Sequence, residues 1–172
     1  MPKMPINWIA VLCSGLVPII IGFIWYNPKV FGTAWMKAAD MNEEKIQGGN
    51  MPLIFGLSIL FSVMLAMAIL PMVIHQMHIF STVMNQSGFG KEGSKVTLYL
   101  IDFMKTYGGE FRTFKHGAFH GFVTGLFFVL PIVGTNALFE RKGFKYIAIH
   151  VGYWAVCLTL MGGIICGWTP AT

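Results

Sequence analysis

Charge is what this 172-residue sequence has least of. Asp, Glu, Lys and Arg together make up 11% of it, where an average soluble domain carries about 25%. The chain is 55% hydrophobic, so a water-soluble fold of this length could not cover itself, and the excess apolar surface must face lipid. The net charge of +5 comes from short Lys/Arg segments between apolar runs and reads as a topology signal. No basic stripe with interleaved aromatics is present, which excludes a nucleic-acid partner. Cysteine is scarce too: Cys13, Cys157 and Cys166 lie inside apolar runs without C-x-x-C spacing. They read either as a disulfide or thiolate ligands, or as small hydrophobes packed between helices; the frequent burial of free cysteine supports the second. Nothing forms a catalytic signature, so a non-enzymatic role is expected.

What is there is apolar length. A membrane span needs about 20 mainly apolar residues, and four segments qualify: about 6–26, 52–74, 114–133 and 146–168. Trp8, Trp25, Tyr26, Tyr146 and Trp168 fall at their ends, where amphipathic rings prefer the headgroup zone. The expected fold is an all-α integral membrane domain of four helices in a bundle. No small-x-small cleavage site follows the first run, so it is expected to be retained. An even number of spans puts both termini on one side. Orientation is undecided by the positive-inside rule: Lys3, Lys91, Lys95, Lys105, Arg112 and Lys115 balance Lys29, Lys37, Lys45, Arg141, Lys142 and Lys145. No charge lies mid-span, which argues against an ion pathway or proton relay.

Proline and small residues punctuate the spans. Pro18 should remove a backbone hydrogen bond and favour a kink, while Pro71 and Pro131 stand near span exits. Small residues recur every fourth position: Ser58, Ser62 and Ala66; Gly117, Gly121 and Gly125; Gly163 and Gly167. Such stripes let helix backbones approach closely, either as seams within the bundle or as a homo-oligomer interface. In the long 75–113 connection, residues 94–107 predict a short interfacial helix with Val96, Leu100, Phe103 and Tyr107 on one face, stopped by Gly108-Gly109.

Two groups of residues could carry chemistry. His116 and His120 stand four apart, so both imidazoles project from one helix face. His75 and His78 close the second span, and the topology puts all four at one membrane level. They are candidate metal or haem ligands; the alternative is solvated or carbonyl-bonded interfacial histidines. At the other level stand Tyr26, Asn27 and Trp35, together with Asn136 and Glu140. Asn136, Glu140, Tyr26 and Asn27 are candidates for a polar ligand or cation site, whereas Glu140 could instead pair with Arg141, Lys142 or Lys145.

The run Gly22-Phe-Ile-Trp25-Tyr26-Asn27-Pro28-Lys-Val-Phe31-Gly32-Thr-Ala-Trp35 resembles the signature of a bacterial membrane family catalogued as domain of unknown function 1761. So does the C-terminal stretch with Gly117 through Gly121, Pro131, Asn136, Leu138-Phe139-Glu140, Lys145-Tyr146, Gly152-Tyr153, Leu160-Met161-Gly162 and Trp168. The resemblance implies a four-span protein of the bacterial inner membrane and no particular activity. The 75–113 connection is longer than the family pattern, which makes any site relying on it particular to this chain. Three roles follow as expectations. The first is a non-enzymatic protein that self-associates or serves as an accessory subunit of a membrane complex. The others are a small transporter or ligand-binding protein, and a His-ligated metal or haem protein.

Overall fold

A computed structural model describes residues 6–168, so Lys3 in the charge count lies outside the described residues. Four helical stretches are long and apolar enough to cross a membrane. They are α1 (Trp8–Trp25), α4 (Met51–Val73), the third stretch Phe114–Phe139, and α9 (Phe144–Trp168). The third is composite: α7 (Phe114–Thr124), a π turn over Gly125–Val129, and α8 (Leu130–Phe139). Between the spans lie a second π turn (Pro28–Gly32), α2 (Thr33–Ala38), α3 (Glu43–Gln47), α5 (Gln76–Val83) and α6 (Lys95–Tyr107). No strand occurs among the described residues. The protein is an all-α, multi-pass membrane protein.

Side-chain caps set where the helices begin. The Asn7 side chain accepts from the N–H groups of Ile9 and Ala10, Asn50 from Leu53, Ser94 from Thr97 and Thr113 from His116. Each satisfies a donor that the first helical turn leaves without an internal partner. The third span outruns the expected end near residue 133 by a turn and a half. Pro131 would press its ring on the carbonyl four residues back, and that carbonyl lies in the widened π turn. The Leu130 N–H reaches Gly125 O across it, so the helix continues instead of ending.

Hydrogen bonds at the two ends of α1 give the packing sense. The Asn7 amide donates to Trp168 O at 3.0 Å, and Trp25 Nε1 donates to Ile149 O at 3.2 Å. Thus α1 and α9 run antiparallel along their whole length. Glycine makes the α7–α9 seam. A Cβ on Gly117 would fall on Gly162 O, and one on Gly121 would fall on Leu158 O. Gly125 lies against Ala155, while Gly163 and Gly167 meet Phe114. On the other side, Gly15 of α1 packs on Val63 of α4, with Ser62 and Ala66 of the same α4 face buried. The small-residue stripes are therefore used inside the bundle, as close helix approach in lipid requires. Ile69, Leu70 and Val73 of α4 and Leu158, Met161 and Ile165 of α9 fill the core between them. Cys157 and Cys166 are buried free thiols, and the single S–H of Cys166 is shared between Val73 O at 3.3 Å and Phe111 O at 3.2 Å.

The 75–113 connection has its own small core of Phe80, Leu100 and Met104, where α5 and α6 meet. The α6 helix starts and stops as its caps dictate, but its packed face is Thr97, Leu100 and Met104. Val96 and Phe103 flank that face, and Tyr107 is exposed. The difference arises because α6 packs on α5, a helix the sequence pattern did not announce.

At the opposite end, α8 closes with Arg141 in the left-handed region (φ 59°) and the Lys142 N–H on Ala137 O, a Schellman arrangement. Lys142 then pairs with Asp40 and not with Glu140. Asp40 is exposed, and the Lys142 hydrogen bond holds its carboxyl below the ordinary value of 3.8. A carboxylate held down in this way adds stability that is complete above its unfolded pKa. That stability is lost as pH falls through the lower folded pKa. Solvent and salt screen so exposed a pair. Asp40→Asn should leave the melting temperature at pH 7 within experimental scatter; a drop of several degrees would show the pair to be structural.

Candidate functional site

The chemistry-bearing side chains gather at the two ends of the bundle. At the end where α1 stops and α9 starts, Asn27 caps the Pro28–Gly32 π turn by accepting from the Lys29 N–H at 3.0 Å. The Gly32 N–H returns to Asn27 O at 2.9 Å. This folds Trp35 back so that its ring meets the edge of Tyr26 at 5.3 Å. The Tyr26 hydroxyl and His150 Nδ1 are 3.2 Å apart, and the Tyr153 hydroxyl donates to Pro18 O at 2.7 Å. Burial pushes the Tyr26 phenol above its ordinary pKa, so it stays a neutral hydrogen-bonding group.

These residues bound a cleft of about 630 Å³ between α1, α4 and α9. Gly22, Tyr26, Asn27, Trp35, Ser58 and Tyr153 line it. Phe23 and Phe61, also on its wall, are mostly exposed on the surface that lipid would cover. Of the four residues expected to form a polar ligand site, Tyr26 and Asn27 lie in the cleft. Asn136 and Glu140 do not; both are exposed on and just after α8. The Pro18 carbonyl, Ser58 and Tyr153 complete the cleft. Spacing along one helix could not place them there, because each comes from a different span.

At the other end, three of the four expected histidines converge. His75 occupies the break between α4 and α5, and His116 and His120 are on the first turns of α7. His75 Nε2 and His116 Nε2 are 2.8 Å apart, so one ring donates a proton to the other. One ligand nitrogen from each of His75, His116 and His120 falls within 4.8 Å of the other two. All three side chains are half-buried. The Gly117–Gly121 seam fixes the rotation of α7, which aims the 116/120 face at the end of α4. Phe111, held at φ 61°, lays its ring 5.0 Å from His116 and 6.1 Å from His75. His78 stays outside the trio: it is exposed on α5, and its carbonyl accepts from Ser81 and Thr82. Burial, with His120 and His78 nearby, holds His75 below the ordinary histidine pKa.

Beside His75 lies a second cavity of about 370 Å³, lined by Gln76, Phe103, Tyr107, Glu110 and Phe111. Gln76 Nε2 bridges Tyr107 O and Glu110 O, tying α5 to the end of α6.

No curated protein and no solved structure matches the chain. A family model does, over residues 9–166, and the chain belongs to that family, described as protein of unknown function (DUF1761).

Proposed function

We propose that this is a non-enzymatic, multi-pass protein of a bacterial inner membrane, with both termini on one side, that binds an amphipathic, lipid-like molecule in the cleft between α1, α4 and α9. One observation carries the reading: the run that bears the family resemblance, Gly22 to Trp35, folds into the wall of that cleft together with Tyr153. The cleft has an aromatic and aliphatic body, and its hydrogen-bonding groups (Tyr26, Asn27, Ser58) come from its rim and from α4. That pattern suits a hydrocarbon chain with a polar head. A molecule moving from bilayer to cleft exchanges one apolar setting for another, so shape and hydrogen bonds must supply the selectivity. The titratable side chains on the lining are the phenols of Tyr26 and Tyr153, which suits binding better than acid–base catalysis at neutral pH. Self-association along the small-residue stripes has less to support it, because the glycine stripes of α7 and α9 already face each other and the α4 stripe is partly buried against α1.

Filling the cleft tests the proposal. Ser58→Trp places a large ring where Ser58 is only half-buried, so the bundle should keep its circular dichroism spectrum and melting temperature. Lipid retained by the wild type after gentle delipidation, read by native mass spectrometry, should be lost from this variant. Equal retention by both proteins would remove the cleft as the binding site.

A further inference from the structure

We propose that His75, His116 and His120 form a binding site for a divalent late first-row transition metal, zinc being the ion it suits best. The site is separate from the cleft, at the opposite end of the bundle, and its failure would leave the lipid-binding reading untouched.

The geometry is close to what such an ion needs. Zinc holds imidazole nitrogens at about 2.0–2.1 Å, which sets ligand nitrogens of a tetrahedral site about 3.3 Å apart. The three nitrogens here already lie within 4.8 Å of one another, with His75 and His116 at 2.8 Å. The widest separation must close by up to about 1.5 Å and the His75–His116 contact open by about 0.5 Å to reach ligand spacing, shifts that side-chain rotation supplies. One of the two contacting rings now donates its Nε2 proton to the other; an ion bound there would leave that ring with its proton on Nδ1, so that both Nε2 lone pairs face the ion. Three neutral nitrogen donors without a thiolate or carboxylate select zinc, copper, nickel or cobalt over magnesium or calcium, which prefer oxygen. Direct contact between His75 and His116 leaves no slot for a porphyrin between them, which argues against bis-histidine haem.

The protein around the trio supports a ligand set more than a chance meeting. The trio is positioned from two separate elements, α7 and the α4–α5 break. His116 is in the first turn of α7 under the Thr113 cap, its backbone N–H on the Thr113 hydroxyl at 3.2 Å. His120 is one turn further on the same face, where the Thr124 hydroxyl bonds its carbonyl. His75 is held at the α4–α5 break by its buried neighbours Ile74 and Gln76. Three protein ligands leave a fourth coordination position open, and the 370 Å³ cavity that His75 shares with Gln76 and Glu110 adjoins the trio. Small molecules could reach an ion there from the rim without crossing the bundle.

Tag-free protein, stripped with chelator and equilibrated with zinc chloride, should retain one zinc per chain by elemental analysis and melt at a higher temperature with zinc than without. Substituted cobalt(II) should give the intense visible bands of a four-coordinate nitrogen site. His120→Ala and, separately, His116→Asn should each weaken zinc binding by about 100-fold or more, beyond the 10–100-fold typical of losing an outer-shell partner. Either variant should also abolish the zinc-dependent rise in melting temperature. His78→Ala should bind as the wild type does. Wild-type protein that holds no zinc, or His78→Ala as impaired as His120→Ala, would overturn the proposal and leave the trio as a hydrogen-bonded latch between α4 and α7.

Discussion

Gly121→Leu should cost the bundle about 3 kcal/mol or more, at or above the upper end for overpacking a well-packed interior. The reason is that the new side chain meets backbone. Its Cβ alone would overlap the Leu158 carbonyl of α9, and a helix backbone cannot swing aside as a flexible side chain can. The helices must separate, and the neighbouring contact of Gly117 on Gly162 must open with them. Two glycines in the same bundle provide the contrast. A Cβ on Gly56 or Gly134 meets nothing within 4 Å, so Gly56→Ala and Gly134→Ala should be neutral or slightly stabilising through helix propensity. Thermal melts of the three variants in one detergent decide the matter. Equal melting temperatures would mean that the α7–α9 seam does not carry the fold.

Gly32→Ala should disturb one end of the protein by about 1–3 kcal/mol and leave the spans in place. Gly32 has an ordinary helical backbone (φ −58°), so its role is space and not conformation. A single methyl there would strike the Tyr26 carbonyl and the Asn27 backbone. The π turn would open, Trp35 would leave the edge of Tyr26, and the cleft would lose its rim. The expected readout is a red-shifted tryptophan emission with unchanged far-ultraviolet dichroism, accompanied by loss of retained lipid. An unaltered emission spectrum, or unaltered lipid retention, would show that this turn does not shape the cleft.

The parts of this structure that follow from length and local spacing were legible in the sequence. Uncharged runs of some 20 residues announce spans, and caps such as Ser94 and Gly108 announce the ends of α6. Glycines four apart announce a seam. Chain direction alone put His75 at the level of His116 and His120. Whether three or four histidines would meet depended on α5, whose first turn carries His78 away to the surface. The α5 helix is short and lies in a stretch with no strong periodicity, so it left no signal. The ion pair of Lys142 joins residues 102 apart in sequence, and three nearer partners for Glu140 looked equally good on paper. The cleft was invisible for a physical reason particular to membranes: a phenylalanine facing lipid and one facing an apolar cavity obey the same rule of composition. Only the bend of residues 27–35 under the end of α1 separates the two.

The seams described above pair each span with its successor, while α9 also lies along α1 and packs on α4. The α1 helix lies along α4, its successor among the spans, and the α7–α8 helix lies along α9, its own successor. The α7–α9 pair is the most extensive pairing in the molecule, whereas α4 touches α7 sparsely. Each pair is thus a helical hairpin, closed by contacts between neighbours along the chain, and contacts of that kind form quickly. Contact between the two pairs is what builds both ends of the bundle: α4 against α7 sets the histidine trio, and α1 and α4 against α9 set the aromatic cleft.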